Sequence, residues 1–364
     1  MSAAALTASV TAFSSEWQIW KQMHKKSYNK IEESQRFNTF IQNKKFVLDH
    51  NRRYDQGLET FWVGMTKFAD LTGEEFEDLY LTKRSGQETV AKSLGPDPVL
   101  KTQFQCPEQF SDETTDIPDN FDWRFADQNN LNLVAVTAVK DQGSCGSCWT
   151  FGAAATMEGS MCIQNAYDCS TWTGLSEQNM VDCASYNSTF LGSYNDNGCS
   201  GGEQSNAIRW AYLAGGISSE DTYPYVSGTT GKKNDCTQPA FSASTTDNIC
   251  GTTSYNGADS PLLARAVMAK GPVTIGIDAG GLAFSLYSGG VYSSTSCSGR
   301  RINHAVTTVG FGVDETTVMP FWTIKNSWGT GWGIDGYILV ERGVDMCGVE
   351  RDTQYALMDG ESSE

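Results

Sequence analysis

The order of apolar and polar side chains predicts a helical first part of the chain. Residues 14–55 lack proline, and a Ser-Ser-Glu start precedes the amphipathic run WQIWKQM, which is typical of a capped helix. A second helix is predicted over 32–51, because six of its side chains recur every three or four positions and therefore share one face. These six are Glu32, Arg36, Phe40, Asn43, Val47 and Asn51. A short strand and a third helix from about Thr72 follow.

Beyond residue 116, short strand-type runs dominate the pattern. Residues 85–116 lose periodicity and carry glycine, proline and scattered charge, which indicates an exposed linker open to proteolysis. Four apolar runs then predict strands, and four further segments predict helices. The strand runs are 271–278, 304–312, 320–328 and 336–342, and the helical segments are 148–163, 176–183, 203–214 and 261–270. Helices first and strands later predict two lobes with a cleft between them.

The first residues of the chain are expected to be a leader. Residues 1–13 are small and mildly apolar but have no basic start, so we expect disorder, or at most a residual signal segment. No run of about 18 apolar residues occurs, so no membrane span is predicted.

The net charge of −17 arises entirely beyond residue 100. The first 100 residues carry 13 basic and 13 acidic side chains, and the remainder carries 13 and 30. Such an acidic body argues against nucleic acid as a partner. It suits an acidic compartment, although surface charge that keeps the protein soluble explains it equally well.

Cysteine usage favours disulfides and an oxidising compartment. Ten of the eleven cysteines follow residue 140, and cytosolic enzymes rarely carry so many. Asn187 begins the one N-glycosylation sequon, Asn-Ser-Thr, which agrees with passage through the secretory pathway.

The stretch KDQGSCGSCWTF holds the strongest chemical signal. Its Cys145-Gly-Ser-Cys148 pair fits a redox dithiol, half of a zinc site, or a structural cysteine beside a nucleophile. Cys148 opens a predicted helix, whose positive end stabilises a thiolate. His304 is the sole histidine beyond residue 50, so it is the histidine candidate for a general base, and a zinc site would need almost all cysteine. Gln142, with the Cys148 N–H, could donate to an oxyanion.

Four segments, in this order, resemble those of papain-like cysteine proteases. They are QGSCGSCWTF, the GCSGG loop at 198–202, NHAV with GFG from residue 303, and KNSWG with WG from residue 325. The first carries the C-G-[SA]-C-[WY] signature of that family. The six stacked residues of the second helix resemble the ERFNIN motif of cathepsin L-like propeptides, with Val47 for Ile. Residues 64–70 resemble the motif that follows it, with Thr66 for Asn.

The resemblance covers nearly the whole chain apart from the leader and the linker. It implies an α+β, papain-like two-lobed fold, with a helical left lobe, an antiparallel β-barrel-like right lobe and a cleft between, preceded by a small α-helical prodomain. The predicted division is a leader at 1–13, an inhibitory prodomain at 14–84, an activation linker at 85–116 and a peptidase domain at 117–364.

The resemblance also implies the roles of individual residues. Cys148 would be the nucleophile and His304 its ion-pair partner. Asn326 would orient the imidazole, Gln142 would complete the oxyanion hole, and Trp328 would shield the site from water. The substrate-binding residues implied are Gly201, Gly202, Glu203, Gln204, Gly276, Ala305 and Asp352. Two of these are acidic, which departs from the apolar pocket of cathepsin L-like enzymes, although Glu203 pointing to solvent is equally expected.

Three disulfides follow from the resemblance. They are Cys145–Cys199, Cys183–Cys236 and Cys297–Cys347. Cys162 and Cys169, seven positions apart, could close a small extra loop. Cys148 would stay free, and Cys106 and Cys250 are left unassigned.

The implied function is that of a cysteine endopeptidase, made as an inactive proenzyme and activated in acid, which works through an acyl-enzyme without cofactor or metal. The expected partners are protein and peptide substrates, its own propeptide and cystatin-type inhibitors. The enzyme is expected to be a monomer that resides in a lysosome or vacuole or is secreted. A ligase or transpeptidase on the same fold, an inhibitory protein on an inactive scaffold, and a thiol-disulfide oxidoreductase using Cys145 and Cys148 are the alternatives. The oxidoreductase lacks its usual preceding strand, and the inactive scaffold would have lost Cys148 or His304.

Overall fold

The computed structural model describes residues 3–82, 114–184, 196–237, 249–256, 258–299 and 301–358. Its α-helices are α1 (Ala3–Met23), α2 (Lys30–Asp55), α3 (Gly73–Tyr80), α4 (Cys148–Gln164), α5 (Glu177–Cys183), α6 (Gln204–Leu213), α7 (Ser227–Thr230), α8 (Ser260–Lys270) and α9 (Leu282–Ser285). Its strands are β1 (Phe61–Val63), β2 (Phe121–Asp122), β3 (Ile249–Asn256), β4 (Val273–Ile277), β5 (Tyr287–Tyr292), β6 (His304–Val313), β7 (Pro320–Lys325), β8 (Tyr337–Glu341) and β9 (Asp352–Met358). We call 3–82 the N-terminal segment and 114–358 the body.

The helices of the N-terminal segment begin at side-chain caps. The Asn29 side chain accepts from two backbone N–H groups at the start of α2, and Thr72 forms a capping box with Glu75 before α3. Asn43, buried on the inner face of α2, donates to the carbonyl oxygens of Ala69 and Leu71 at 2.9 and 3.0 Å. The shared face of α2 therefore fixes the loop that leads into α3.

The start of α1 differs from the sequence-based expectation. We expected a disordered leader over 1–13 and a helix cap at residues 14–16, but the helical backbone of α1 runs from Ala3. Small residues such as alanine have high helix propensity, so the run AAAL extends the helix instead of ending it.

The described strands form a sheet in the order β1-β5-β8-β7-β6-β4-β9-β3, and β2 pairs with β6. The pairings are antiparallel, as expected, except for β5 and β8, which are parallel. The sequence pattern predicted β4, β6, β7 and β8. It also predicted the short strand β1. It missed the two-residue β2 and the strands β3, β5 and β9. Of these, β3 and β5 are rich in glycine, serine, threonine or asparagine and so lack an apolar signal.

Two buried clusters correspond to two lobes. One joins α4, α5 and α6 through residues such as Trp149, Met180 and Ile208. The other lies on the sheet and continues into the N-terminal segment, so that Phe40 and Phe68 belong to the same core as Trp328. Helix α4 crosses between them and approaches β4 so closely that a side chain at Gly152 would stand 2.4 Å from Thr274 Oγ1. The cleft thus opens between α4 and the start of β6.

Four disulfides are formed among the residues that the structure describes, and they are the four pairs expected from the sequence: Cys145–Cys199, Cys162–Cys169, Cys183–Cys236 and Cys297–Cys347. Cys148 is a free and buried thiol. Asn187, Cys106 and all but the last three residues of the predicted linker lie outside the described residues, and Cys250 is described only as backbone in β3.

Candidate active site

Cys148 is the first residue of α4 and follows the N-cap Ser147. Its thiol is 1% exposed. The first N–H groups of a helix have no intrahelical acceptor and carry partial positive charge, which favours a thiolate at this position. Cys145 is bonded to Cys199, so the C-x-x-C pair is not a dithiol.

His304 begins β6, and Asn326 directly follows β7, the antiparallel neighbour of that strand. His304 Nε2 lies 2.8 Å from Asn326 Oδ1. Because an amide oxygen only accepts, Nε2 must carry the proton. The Trp328 ring stacks on the imidazole at a centroid distance of 4.7 Å, with 22° between the planes. The hydrogen bond is thereby shielded from water, which strengthens it.

The Gln142 side chain is fully buried and held at both of its polar atoms. Nε2 donates to the carbonyl oxygens of Cys145, at 2.9 Å, and Tyr80, at 3.1 Å. Oε1 accepts from Ser327 Oγ at 2.7 Å. Ser327 therefore fixes which end of the amide faces the cleft. Ser327 lies within the KNSWG segment, and the sequence-based prediction gave it no role.

The N-terminal segment occupies the cleft at this point. Besides the Tyr80 carbonyl on Gln142, Thr82 donates its N–H to the Asn303 carbonyl oxygen at 2.8 Å. Thr82 Oγ1 lies 3.5 Å from Cys148 Sγ. A Cβ at Gly201 would stand only 2.4 Å from the Thr82 methyl group. A three-residue stretch of the segment thus covers the Cys148 thiol, the Gln142 amide and the glycine loop together.

Burial changes the protonation of the two central groups. Burial raises the pKa of the Cys148 thiol, against hydrogen bonds from Thr82 and from the backbone of Ala305 and Trp149 that lower it. Burial also lowers the pKa of His304 to about 4, although the bond to Asn326 opposes this. Both shifts disfavour the charged forms. The pair is therefore neutral near pH 6 while the N-terminal segment is in place.

Three contacts fix the N-terminal segment beside this site. Strand β1 pairs antiparallel with β5 of the body. Lys67 Nζ contacts both carboxylate oxygens of Asp141, at 2.6 and 2.7 Å. The rings of Phe68 and Phe76 meet Trp328 edge to face at 5.2 and 5.3 Å. One of these contacts ends on Asp141, next to Gln142, and another ends on Trp328, two residues after Asn326. The segment is therefore held close to both Gln142 and Asn326.

The residues expected to bind substrate lie in the loop before α6, at the start of α6, and on β4, β6 and β9. Gly202 packs closely against Trp149, because a Cβ atom at this position would lie only 2.6 Å from the indole ring. Gly276 of β4 faces Asp352 of β9, and a Cβ at Gly276 would lie 3.0 Å from Asp352 Oδ2. The Gln204 side chain instead turns inward and donates to the Ile275 carbonyl oxygen at 3.3 Å.

Two further expected positions lie beside the thiol. Ala305 is buried next to His304. Glu203, the N-cap of α6, is half-buried, and its charge acts on Cys148 by raising the thiol pKa.

No cluster of three or more histidine, cysteine or acidic side chains suited to a metal ion occurs in the described ranges. Within those same ranges, no helix is long and apolar enough to cross a membrane.

Comparisons with known proteins agree with this geometry. The papain family cysteine protease model matches residues 117–357, and the cathepsin propeptide inhibitor domain model matches residues 17–76. Cathepsin L of Sarcophaga peregrina is 34% identical over 342 residues, 93% of this chain and 91% of that protein. Procathepsin L of Mus musculus is 31% identical over 95% of this chain and 92% of its own.

A solved structure is similar over almost the whole length. The digestive procathepsin L proteinase from the larval midgut of Tenebrio molitor aligns with a TM-score of 0.76 and 31% identity, covering 95% of this chain and 99% of that one. The papain-like fold expected from the sequence is confirmed, as is the cathepsin-type propeptide. The chain is a member of the papain family of cysteine proteases, in the form of a zymogen.

Proposed function

We propose that Cys148 is the nucleophile of this cysteine endopeptidase, with His304 as its proton partner, Asn326 as the residue that orients the imidazole, and Gln142 as an oxyanion donor. The observation that carries the proposal is the 2.8 Å bond between His304 Nε2 and Asn326 Oδ1. This bond leaves Nδ1 as the free ring nitrogen, and that atom has no hydrogen-bond partner among the described residues. A free thiol at a helix start completes the set.

The chemistry begins when the N-terminal segment leaves. Water then reaches Cys148 and His304, the desolvation that keeps both neutral is lost, and the thiol proton moves to the imidazole. The thiolate attacks the substrate carbonyl carbon, and the carbonyl electron pair moves onto oxygen. The amide of Gln142 and the N–H of Cys148 then stabilise that oxyanion.

Breakdown of the tetrahedral intermediate follows. The imidazolium of His304 gives its proton to the leaving nitrogen as the C–N bond breaks, which leaves a thioester on Cys148. Water attacks the thioester and gives a proton to His304, and the C–S bond breaks to release the acid and restore the pair. Removal of Gln142 is expected to lower kcat by about 10²- to 10³-fold.

The test is covalent labelling of the full-length protein after processing in trans by an added acid protease. An epoxide thiol-protease inhibitor should add one mass increment to the wild-type protein and none to Cys148→Ala. His304→Ala should label much more slowly. Equal labelling of Cys148→Ala would place the nucleophile elsewhere.

We propose that Asp352 gives the enzyme a preference for Arg or Lys beside the usual apolar residues at the second position before the cut. Support comes from its carboxylate, which lies against Gly276, a position with no side chain to fill the pocket. A panel of fluorogenic peptides that differ at the second position before the cut tests this. The Asp352→Asn variant should lose cleavage of peptides with Arg at that position and keep cleavage of peptides with Leu there. An unchanged ratio of the two would contradict this assignment.

The wider setting is also proposed. Residues 14–84 act as the inhibitory prodomain, and acid loosens them before cleavage within 85–116 frees the peptidase domain, 117–364. Four disulfides support synthesis in an oxidising compartment, hence a lysosome, a vacuole or secretion. Cystatin-type inhibitors of a monomeric enzyme would compete for the cleft that the N-terminal segment now fills. Sedimentation and inhibitor titration of the processed protein test these two points.

A ligase or transpeptidase differs only in what attacks the thioester. An amine would replace water in the last step, and the residues above would act unchanged. Product analysis with a peptide amine in excess separates the two, since a transpeptidase yields mainly the ligated peptide.

A further inference from the structure

The hydroxyl group of Tyr225 bridges the two segments that carry the proposed oxyanion donors. It donates to the Gln142 carbonyl oxygen at 2.8 Å. The Ser147 Oγ lies 2.7 Å from the same phenol oxygen. A phenol has one proton, and that proton goes to the carbonyl oxygen, so Ser147 must be the donor of the second bond. One hydroxyl group thus ties the backbone at Gln142 to the N-cap of α4.

The surroundings of Tyr225 keep this hydroxyl group in one position. Its ring meets Phe151 of α4 edge to face at 5.0 Å. The following residues are fixed by Gln178, whose Oε1 accepts from the N–H groups of Val226 and Ser227, both at 2.9 Å. Burial raises the pKa of Tyr225 well above its usual value, so the phenol keeps its proton throughout the acid and neutral range.

The turn between Gln142 and Ser147 is also held by close backbone contacts with residues 225–228. The Gly228 carbonyl oxygen accepts from the Ser144 N–H at 2.9 Å. A side chain at Gly228 would stand 2.8 Å from the Gln142 carbonyl oxygen, and one at Gly143 would stand 2.4 Å from the Gly228 oxygen. The segment 225–228 therefore forms a close backing for the turn between Gln142 and Ser147.

We propose that Tyr225 is a positioning residue for the oxyanion hole, which holds the Gln142 amide and the Cys148 N–H at a fixed separation. The inference rests on the proposed oxyanion role of Gln142. Oxyanion donors act only when they are preorganised at the place where charge develops. A bridge between the two donor segments supplies that preorganisation without touching the substrate.

Tyr225→Phe tests the proposal, because it removes the hydroxyl group and keeps the ring against Phe151. We expect kcat to fall roughly ten-fold, a part of the effect of losing one donor, with KM changed little. Alkylation of Cys148 by iodoacetamide involves no oxyanion, so its rate should stay at the wild-type value. That second measurement also shows that the variant is folded.

Tyr223→Phe is the matched control. Its hydroxyl group donates to Asp182 Oδ2 at 2.9 Å, on the same stretch of chain but away from the turn, so kcat should be unchanged. All variants are made as full-length protein and processed in trans by the same acid protease. A Tyr225→Phe enzyme with wild-type kcat, or one in which kcat and the alkylation rate fall together, would overturn the proposal.

Gln142→Ala separates failure of this inference from failure of the proposed site. In the Gln142→Ala background, adding Tyr225→Phe should lower kcat by less than a further two-fold, because both changes act on one interaction. Full additivity would overturn the inference. If Gln142→Ala itself retained full kcat, the oxyanion role of Gln142 would be wrong. If kcat fell in Gln142→Ala but stayed at the wild-type value in Tyr225→Phe, the positioning role of Tyr225 would be wrong and the oxyanion role of Gln142 would stand.

Discussion

The carbonyl oxygen of Tyr80 accepts a hydrogen bond from Gln142 Nε2 at 3.1 Å. The donor proposed for the transition-state oxyanion is therefore already engaged by a main-chain carbonyl of the N-terminal segment. Two residues later, Thr82 covers the thiol. The segment inhibits by occupying the site at the atoms that do chemistry, and it does so with backbone groups and one small side chain.

The first prediction concerns thiol reactivity. In the intact precursor, Cys148 should react with iodoacetamide at least roughly 10²-fold more slowly at pH 6 than in the processed protein, because the buried thiol is neutral and the thiolate is the reactive form. Stopped-time alkylation followed by mass spectrometry gives both rates, with Cys148→Ala as the blank. Equal rates before and after processing would contradict the covered site.

The second prediction is a dependence of opening on pH that involves His304. The pKa of His304 is about 4 in the closed precursor. In the Cys148→Ala precursor, which has no thiol proton to transfer to the imidazole, this pKa should return toward 6.5 when water enters. Between those values the open form binds more protons, so acid favours opening, by up to about 3 kcal/mol below pH 4 and by nothing above pH 6.5.

Hydrogen exchange in the Cys148→Ala precursor, which cannot cleave itself, measures this opening between pH 7 and pH 4. The Cys148→Ala/His304→Gln double variant is the control, since it lacks the titrating group and should show a shallower pH dependence. Identical slopes for the two proteins would assign the acid response to other groups.

The third prediction concerns the ion pair between Lys67 and Asp141, which links the two parts of the chain. The Asp141 side chain is 47% exposed, so the pair contributes less than about 1 kcal/mol. Lys67→Met should therefore speed conversion of the precursor at pH 5 by about two- to five-fold, measured on a gel over time.

Arg53→Met is its matched control, because Arg53 pairs with Glu59 inside the N-terminal segment at 2.8 Å and does not reach the body. Its conversion rate should equal that of the wild type. Equal acceleration by both variants would mean that the lysine stabilises the segment itself and not its attachment.

The fourth prediction concerns the disulfide between Cys162 and Cys169, at the end of α4 farthest from Cys148. Replacing both cysteines by alanine should lower the free energy of unfolding by roughly 2 kcal/mol, from the entropy that a short closed loop removes from the unfolded chain. Denaturant unfolding measures the loss, and kcat should not change. A fall in kcat without a fall in stability would show that this loop acts on the site.

The sequence predicted the class of chemistry better than it predicted which residues of the N-terminal segment cover the site. Cys148, His304 and Asn326, the residues proposed for the chemistry, lie in compact motifs at the start of a helix, at the start of a strand and directly after another strand, so local pattern was enough to propose them. Thr82 lies where the predicted prodomain gives way to the linker and belongs to no motif. Its backbone is held by a hydrogen bond to the carbonyl oxygen of Asn303, which lies far along the chain, so no local pattern predicts its position.

Tyr225 illustrates the same limit. Its hydroxyl group bonds to a carbonyl oxygen 83 positions earlier in the chain, and no periodicity links residues so far apart. Single-residue hydrogen bonds between loops depend on how distant parts of the chain pack together, and that packing is not a property of either loop. The early start of α1 has a simpler cause, since the helix propensity of alanine adds no polar face and therefore does not register as an amphipathic pattern.

The pairing of β1 with β5 has a consequence for the processed enzyme. When the N-terminal segment leaves, β5 becomes the outermost strand of the sheet, and its unpaired N–H and C=O groups face water. Such edges are templates for aggregation between copies. Gly290 lies in this strand with a φ of +81°, and β1 still pairs across it in the precursor, with Phe61 opposite Gly290. We therefore expect the edge that activation uncovers to be open to pairing with another strand, at the glycines that face Trp62 and Phe61 in the precursor.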